Sequence, residues 1–200
     1  RGVRLRLSAR CATAAEAEDR IRKAEQTLLA RAGSVVYGFE EEELEEIVGR
    51  LLRERGWTIA VAESCTGGLV MDRLTDVPGS SRYVERGYVV YSNEAKIREL
   101  GVPEEVLHRN GAVSRETAEA MAFGARTKSN ADVGLSTTGI AGPSGGTTEK
   151  PVGLVWIGYS DRDGTAAFRF QFGNDRRRIK ERSSQAALDI VRRKLLKLNP

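Results

Sequence analysis

Ser64 is the residue in this chain whose surroundings most suggest covalent chemistry. It lies in the stretch VAESCTGGLV, residues 61–70, where an apolar run typical of a β-strand meets a Thr-Gly-Gly turn that opens a helix. Backbone N–H groups at such a turn can stabilise an oxyanion or a phosphate, which makes Ser64 a candidate nucleophile. The pattern fits Ser64 and Thr66 equally well as residues that only cap the helix, so both roles stay open. The stretch lacks the G-x-S-x-G pattern of α/β-hydrolases, so that fold is not supported.

A serine nucleophile needs a base, and the chain contains a single histidine, His108. The pattern places it at the exposed end of a short helix, away from the serine turn, which argues against a Ser-His-Asp triad. Lys96, in YSNEAK, is the favoured alternative, because a neutral amine can act as a general base when its pKa is lowered. If Ser92 or Asn93 caps the helix, Lys96 falls in the first turn, where burial and the helix dipole both disfavour the ammonium form. Glu94 would act in the opposite direction, and an exposed helical lysine is the alternative interpretation.

A glycine-rich loop, TGIAGPSGG at residues 138–146, is a candidate anion-binding segment. Its four glycines can expose consecutive backbone N–H groups, and a plain connecting loop fits the same composition. Arg176, in the first turn of the last predicted helix, adds a planar fork that suits a phosphate, with a solvated turn as the alternative. Lys150 and Lys180 are less favoured as bases. Lys150 neighbours a proline in a loop, and Lys180 lies among arginines, where it better suits anion binding.

The segments that carry these candidates follow predicted strands. They span residues 64–68, 91–96 and 138–146. In open α/β sheets, ligands bind at the C-terminal ends of strands, so we expect the three segments to converge on one site. Strands alternate with helices along the chain, and the Asp-Gly of DRDG predicts a hairpin between two further strands. The predicted fold class is therefore α/β, a three-layer α/β/α sandwich on a mixed sheet.

The beginning of the chain predicts a small separate unit. Apolar and polar residues alternate over residues 3–8 as in a half-buried strand, and SVVYG at 34–38 resembles a second strand. Between them, Thr13 has the capping-box spacing of a helix start, and Gly33 is placed to end that helix. A β-α-β unit of this size rarely forms an independent core, so we expect the remnant of a larger domain from a longer chain. The predicted domains are residues 1–38 and residues 39–200.

The composition is that of a globular protein with a sizeable core. Of 200 residues, 40% are hydrophobic and 30% are charged, and no apolar run approaches the roughly 18 residues of a membrane helix. The N-terminus lacks the apolar stretch of a signal peptide, so a cytoplasmic location is the default expectation. Cys11 and Cys65 are too few for a disulfide framework, and with His108 they cannot form a Cys/His zinc cluster at any usual spacing. We expect no metal site unless carboxylates form it.

The charge balance is compatible with nucleic-acid binding, since the net charge is +4 and the isoelectric point is near 9.2. The basic excess is local, however, and lies in residues 176–180 and 191–197 of the last predicted helix. No aromatic residues are interleaved with it, as stacking on bases would require. A solvated helix face is the favoured interpretation, and a nucleic-acid partner is not expected.

Seven motifs, in their order along the chain, resemble those of the CinA C-terminal domain family, the nicotinamide-nucleotide amidohydrolases. They are AESCTGG, LTDVPGSS, RGYVVYSNEAK, GAVS, TGIAGPSGG, EKPVG and DRRRIKERSS, and they span about residues 42–198. The first 38 residues resemble the end of the middle domain of full-length competence/damage-inducible CinA proteins. The large N-terminal domain of those proteins, with its molybdopterin-binding-like fold, is not part of this sequence.

The resemblance implies hydrolysis of the carboxamide of nicotinamide mononucleotide to nicotinate mononucleotide and ammonia, a step of pyridine-nucleotide salvage, with no metal or cofactor. It implies Ser64 as the nucleophile, Lys96 as the general base and Tyr91 as a helper in the proton network. The oxyanion is then expected against the amides of residues 66–68, and the phosphate near residues 139–146. The implied substrate-binding residues are Thr66, Gly67, Gly68, Asn93, Gly139, Ala141, Gly142, Gly145, Gly146 and Arg176.

Two positions depart from the family pattern, and both bear on phosphate affinity. Asn174 stands where members often have glycine, and Lys180 where a second arginine is common. Members of the family commonly associate, so a homo-oligomer, most simply a dimer, is expected, with no membrane partner. The competing hypothesis is a non-catalytic nucleotide-binding or protein-interaction module that retains the fold. The intact Ser64 and Lys96 favour the enzyme, because a binding module could lose either residue without penalty.

Overall fold

The computed structural model describes residues 2–173 and 175–199. The chain divides into two compact units, and the boundary between Glu42 and Glu43 falls close to the one predicted after residue 38. None of the described helices is long and apolar enough to cross a membrane.

The first unit contains one long helix, α1 (Ala14–Ala32). It begins where the sequence predicts, because the Thr13 hydroxyl oxygen accepts a hydrogen bond from the Glu16 N–H at 3.2 Å. Gly33 follows its last residue with a positive φ of 52°. None of the α1 residues is buried, so capping and ion pairs along its surface support the helix more than packing does.

The two strands predicted on either side of α1 are wrong. Residues 2–11 have no regular secondary structure, and Gly33–Val35 form a short 3₁₀ helix that leads into irregular residues 36–38. Alternating polarity is not sufficient for a strand, since its backbone groups need a neighbouring strand as partner. The described residues of this unit supply no such neighbour, and Val3 and Leu5 are 89% and 68% exposed. The predicted β-α-β remnant is thus a capped helix with irregular flanks, and its origin in a middle domain stays a prediction.

The second unit contains a five-stranded sheet in the order β2-β1-β3-β4-β5. Its strands are β1 (Ile59–Glu63), β2 (Val84–Val89), β3 (Val133–Gly139), β4 (Leu154–Asp161) and β5 (Gly164–Gln171). β1 is parallel to both of its neighbours, β3 and β4 are antiparallel, and β4 and β5 form the predicted hairpin. The sheet is therefore mixed, as the sequence predicts.

Helices cover both faces of this sheet. They are α2 (Leu44–Arg55), α3 (Leu69–Thr75), α4 (Asn93–Leu100), α5 (Glu104–Asn110), α6 (Arg115–Ser129) and α7 (Arg176–Leu195). α2, α3 and α7 pack together on one face, whereas α6 packs across the other face with α4 and α5 against it. This confirms the predicted three-layer α/β/α sandwich.

The helix ends in the second unit follow the sequence signals. Gly56 ends α2 and Gly101 ends α4, both in the left-handed conformation that favours glycine. Ser92 caps α4 by accepting from the Ala95 N–H at 3.1 Å, and Ser114 caps α6 in the same way. The cap at Ser92 matters for function, because it fixes where the first turn of α4 lies.

Strand β1 lies at the centre of the parallel part of the sheet, and all five of its residues are buried. Ala60 and Ala62 pack in a core cluster with Met121 of α6. Since side chains alternate along a strand, Val61 and Glu63 point to the opposite layer, which contains α3. A fully buried carboxylate, Glu63, is therefore the last residue of the strand that leads to Ser64.

Candidate active site

A cavity of about 210 Å³ lies where β1 and β3 end. Its walls are formed by Ser64, Cys65, Tyr91, Lys96, Ala112, Val113, Thr138, Gly139, Ala141 and Arg176. The structure thus brings residues of all three predicted segments into one cavity, together with a fourth segment at 112–113. Both candidate catalytic residues, Ser64 and Lys96, line it.

The position of Ser64 follows from the strand before it. The Ser64 N–H donates to the carbonyl oxygen of Thr137 at 3.0 Å, which extends the pairing of β1 with β3 by one residue. The chain then reverses through Gly67 and Gly68, whose φ angles are +61° and +96°. Glycine is needed at both positions, because other residues rarely adopt such angles. Ser64 is therefore held at a fixed strand end and followed at once by a tight turn.

The amides of this turn differ in their availability. The Gly68 N–H donates to Oε2 of Glu63 at 3.0 Å, so this amide already has an acceptor, and its expected role toward an oxyanion stays a prediction. The Thr66 side chain is fully buried, and its hydroxyl shares a 2.6 Å hydrogen bond with the Thr137 hydroxyl. Within the described residues, the amides of 65–67 donate no hydrogen bond to another residue. Those three amides are the candidate oxyanion donors.

Lys96 lies in the first turn of α4 and is only 1% exposed, so the interpretation as a surface lysine is wrong. Burial lowers the pKa of Lys96, because the ammonium form loses its hydration. Cys65, if ionised, and Glu94 act in the opposite direction. Burial also raises the pKa of the Cys65 thiol to about 12, so near neutral pH this thiol is uncharged and Glu94 is the charge that matters.

The ammonium group of Lys96 is surrounded by backbone carbonyls. Its Nζ donates to the carbonyl oxygens of Val90 and Tyr91 at 3.1 Å and of Ser92 at 3.3 Å. Three acceptors match the three hydrogens of an ammonium, whereas a neutral amine would fill only two and keep a lone pair. Among the described residues, no carboxylate forms an ion pair with Lys96. Desolvation and the carbonyl oxygens thus oppose each other, and the lysine can exist in either protonation state.

Tyr91 and Arg176 form the rim of the cavity. Nη1 of Arg176 donates to the carbonyl oxygen of Gly142 at 2.7 Å, and its Nη2 lies 3.5 Å from the Tyr91 hydroxyl. Arg176 therefore connects the glycine-rich loop to the segment that leads into α4. Tyr91 is 65% exposed, and no hydrogen bond joins its hydroxyl to Lys96 among the described residues, so its expected part in the proton network stays a prediction.

Several predicted substrate-binding residues lie elsewhere. Gly139 and Ala141 line the cavity, but Gly145, Gly146 and Asn93 are exposed and are not among its walls. The glycine-rich loop therefore contributes through its first half, where it is closest to β3.

Of the two positions that depart from the family pattern, Asn174 lies outside the described residues. Lys180 lies beside the serine turn, since a Cβ placed on Gly67 would be 3.5 Å from its Nζ. The structure thus puts a second positively charged side chain, that of Lys180, beside the turn formed by residues 65–67. Lys180 lies one helical turn beyond Arg176.

The sequence reasoning missed the wall at Ala112 and Val113. The Ala112 carbonyl accepts from the Thr138 hydroxyl at 2.6 Å, and the Asn110 carbonyl accepts from Lys150 Nζ at 2.6 Å. Small apolar residues carry no chemistry of their own, and only the motif GAVS just before the α6 cap could have drawn attention to them. Lys150 thus ties this wall to the glycine-rich loop.

A second cavity, of about 410 Å³, shares Val113 with the first. It contains one serine, Ser114, whose hydroxyl already donates to Gly111 and Thr117. His108 is not in either cavity and lies exposed, 3.3 Å from a Glu104 oxygen. Among the described residues, no cluster of three or more His, Cys, Asp or Glu side chains is placed to hold a metal ion. The smaller cavity is therefore the candidate active site.

Comparisons with known proteins point to one family. A family model described as the CinA C-terminal domain matches residues 41–195. The chain is 48% identical over 194 residues to a putative competence-damage inducible protein of Caldicellulosiruptor saccharolyticus, which covers 97% of this chain and 47% of that protein. It is 50% identical over 196 residues to a CinA-like protein of Kosmotoga olearia, with 98% and 48% covered. The chain thus spans about half the length of these curated relatives.

Solved structures give the same result for the fold. A competence/damage inducible protein from Agrobacterium tumefaciens is 41% identical, with a TM-score of 0.71 over 77% of this chain and 96% of that one. The competence damage-inducible protein A of Klebsiella pneumoniae is 33% identical, with a TM-score of 0.75 over 78% and 97%. The chain therefore belongs to the CinA C-terminal domain family.

Proposed function

We propose that this chain hydrolyses the carboxamide of nicotinamide mononucleotide, releasing nicotinate mononucleotide and ammonia by a Ser/Lys mechanism. The observation that carries the proposal is the cavity that Ser64 and the buried Lys96 both line, with Arg176 at its rim. Burial lowers the pKa of Lys96, which makes the neutral, proton-accepting form of its amine more accessible than in an exposed lysine.

The first half of the reaction acylates the serine. The Ser64 oxygen attacks the carboxamide carbon, and its proton passes to the neutral Lys96 amine. The carbonyls that surround Nζ then stabilise the new ammonium, because each of its hydrogens finds an acceptor. The negative oxygen of the tetrahedral intermediate lies against the amides of residues 65–67. The C–N bond breaks as Lys96 returns the proton to the leaving group, which departs as ammonia.

The second half hydrolyses the ester formed between Ser64 and the nicotinoyl group. Water attacks the ester carbon and gives one proton to Lys96, so that a second tetrahedral intermediate forms at the same amides. Its collapse breaks the bond to the Ser64 oxygen, which takes back the proton from Lys96. Both halves use the same groups in the same places, as expected for acyl transfer with a single base.

The substrate's orientation follows from the charges around the cavity. Its volume of about 210 Å³ is below the roughly 300 Å³ at which pockets for whole drug-sized ligands begin, so it suits the pyridine ring. The phosphate then remains at the rim, where Arg176 and Lys180 supply positive charge beside the loop at Gly142. Arg176 has a planar fork that suits a phosphate, and Lys180 adds a point charge.

A non-catalytic nucleotide-binding module is the second candidate, and one observation favours it. No hydrogen bond joins the Ser64 hydroxyl to Lys96 among the described residues, and three carbonyls favour the ammonium form of the lysine. A site with the lysine permanently charged would bind an anion without activating the serine.

Ammonia release from nicotinamide mononucleotide separates the two candidates. With EDTA present, we expect the wild type to release ammonia and Ser64→Ala to lose at least about 10³-fold in turnover. Ser183→Ala is the matched control, since Ser183 is also buried but donates only within α7, to the Ile179 carbonyl. Circular dichroism checks that each variant folds. Equal release from wild type and Ser64→Ala would refute the serine mechanism, and no release from folded wild type would favour the binding module, with calorimetry on the mononucleotide as the next measurement.

A further inference from the structure

Glu63 is a buried carboxylate that the proposed reaction does not use. It is the last residue of β1, it precedes Ser64, and its exposure is 0%. Its partners are backbone amides: Oε2 accepts from Gly68 and Val70 at 3.0 Å, and Oε1 accepts from Met71 at 2.9 Å. Among the described residues, no lysine or arginine forms an ion pair with it. Burying an ionised carboxylate without such hydrogen bonds would be very unfavourable, so the arrangement depends on all three amides.

These hydrogen bonds close a loop around the nucleophile. The chain leaves β1 at Glu63, passes through residues 64–67, and returns at Gly68 to the Glu63 side chain. Both ends of the four-residue turn are therefore attached to one residue. The Ser64 N–H bond to Thr137 and the Thr66 hydroxyl bond to the same residue hold the middle of the turn against β3.

The same bonds replace an ordinary helix cap. Gly68, at the cap position of α3, has no side chain that could accept from the first amides of the helix. A serine or aspartate at that position would cap α3 by itself. Taking the acceptor from Glu63 instead couples the start of α3 to the end of β1. It also occupies the amides at 68, 70 and 71, which leaves those at 65–67, in the turn beside Ser64, for a substrate anion.

We propose that Glu63 is a positioning residue, whose carboxylate fixes the direction of the amides of residues 65–67 toward the oxyanion. It does not touch the substrate and acts through the turn. The kinetic part of this inference rests on the proposed function. A purely structural role would affect only the fraction of folded protein, whereas a positioning role changes the rate of each folded molecule.

The kinetic test compares Glu63→Gln with the wild type in ammonia release. The carboxamide keeps the shape of the side chain but replaces one acceptor oxygen with an NH₂ group, which cannot accept. We expect kcat to fall about a hundredfold, as for a small misplacement of a catalytic group, with KM changed less than about threefold. Glu63→Asp, which keeps the charge but shortens the reach, is the second variant and is expected to lower kcat as well.

Glu45→Gln is the matched control, because Glu45 is the other buried glutamate of this unit and pairs with Arg73, away from the cavity. Its kcat per folded molecule is expected to stay within about twofold of the wild type, since Glu45 is not among the cavity walls and its ion pair is with Arg73. If Glu63→Gln and Glu63→Asp keep the wild-type kcat while the wild type is active, the positioning role is wrong and the proposed function stands.

An amide measurement tests the inference independently of turnover. In ¹⁵N-labelled protein, Glu63→Gln is expected to lower the order parameters of the amides at 65–67 and to shift the proton resonances of Gly68, Val70 and Met71. Glu45→Gln is expected to leave them unchanged. If the wild type releases no ammonia, the proposed function fails, and these amides still decide the positioning role. Unchanged order parameters at 65–67 in Glu63→Gln would overturn it.

Discussion

Two buried charged sites in the second unit differ in what surrounds the charge. In one, Arg73 forms a two-point ion pair with Glu45, with Nε and Nη2 at 3.2 and 2.6 Å from its oxygens. The same guanidinium donates to Ser184 at 3.1 Å and to Gln185 at 2.8 Å. This site joins α2, α3 and α7, and every donor group faces a side-chain acceptor.

In the other site, the Lys96 amine faces only backbone carbonyls. Carbonyl dipoles support a positive charge but do not require it, whereas a buried carboxylate would hold the lysine permanently charged. An arginine beside a carboxylate cannot change protonation at any ordinary pH. The difference fits a stabilising role for the first site and, in the proposed mechanism, proton transfer at the second, since perturbed pKa values concentrate at functional sites.

Lys96→Met is the most direct test of this difference, because it keeps the length and the apolar part of the side chain but removes the amine. We expect turnover of nicotinamide mononucleotide to fall about 10³-fold, within the range for loss of a general base. Lys128→Met, on the exposed side of α6, is the control and should not change turnover. Activity retained in Lys96→Met with an intact circular dichroism spectrum would show that the buried lysine is not the base.

The pH dependence of kcat/KM gives the second prediction. The neutral amine is the active form, and burial places the pKa of Lys96 below the ordinary lysine value. Below this pKa the neutral fraction rises about tenfold per pH unit, so kcat/KM should rise with pH and level off above it. A profile that falls with rising pH across this range would exclude a lysine base.

Glu94→Gln tests whether the rising limb of the pH profile belongs to Lys96. Glu94 raises the pKa of Lys96 through its negative charge, and its own pKa is lowered, first by its backbone N–H and then by Ser92. Removing the charge should therefore lower the pKa of Lys96 and move the rising limb of the profile to lower pH, by a small amount because Glu94 is exposed. Glu99→Gln is the control on the same helix, because Glu99 pairs with Arg98 and is not among the causes of the lysine shift. If the rising limb of the pH profile does not move in Glu94→Gln, the limb reports the titration of a group other than Lys96.

Arg176→Ala tests whether the rim of the cavity binds the substrate's phosphate. Loss of one charge-assisted contact to a phosphate should raise KM for nicotinamide mononucleotide about ten- to a hundredfold, with a smaller effect on kcat. The effect should disappear with nicotinamide riboside, which lacks the phosphate. Arg177→Ala is the neighbouring control, because Arg177 pairs with Glu181 on the exposed side of α7. An equal loss with both substrates would mean that Arg176 acts on the fold of the loop at Gly142 and not on the phosphate.

The sequence was sufficient to predict much of this arrangement, for local reasons. Ser92 predicts the start of α4, and that alone places Lys96 in its first turn. Glycines at 56 and 101 end their helices as expected, and the three segments that follow strands share one edge of the sheet. The helix ends are predicted correctly because each depends on hydrogen bonds within a few residues of chain, and the shared edge because parallel strands end on the same side of a sheet.

The predictions that fail depend on groups distant in sequence or on a turn that the pattern does not define. The strand expected at residues 3–8 finds no neighbour to pair with in the described part of the chain, which alternating polarity cannot reveal. Glu63 resembles an ordinary polar strand residue until the turn at 67–68 brings three amides to it. Val113 enters the cavity wall only because Thr138 and Lys150 hold the carbonyls before it.

Changes to the ion pair of Glu45 and Arg73 have the smallest expected effect on turnover. Arg73→Met removes the guanidinium that forms the buried two-point ion pair with Glu45, and should lower the free energy of unfolding by about 3–5 kcal/mol. Turnover per folded molecule should stay unchanged, because none of the Arg73 contacts reaches the cavity. Urea unfolding measures the first quantity, and ammonia release corrected for the folded fraction measures the second.

The double variant Glu45→Leu with Arg73→Met completes this test. Replacing both charges with apolar groups removes the buried carboxylate as well as the guanidinium, so most of the lost stability should return, as it does when buried ion pairs are exchanged for apolar residues of similar volume. Recovery of stability without any change in turnover would mean that apolar side chains can replace the charged pair. They cannot replace Lys96 in the proposed mechanism, because an apolar side chain there can restore packing but cannot accept a proton. If the double variant regains stability but loses turnover, the ion pair must also affect the active site. The distinction between an ion pair that only stabilises the fold and a lysine that transfers protons would then be wrong.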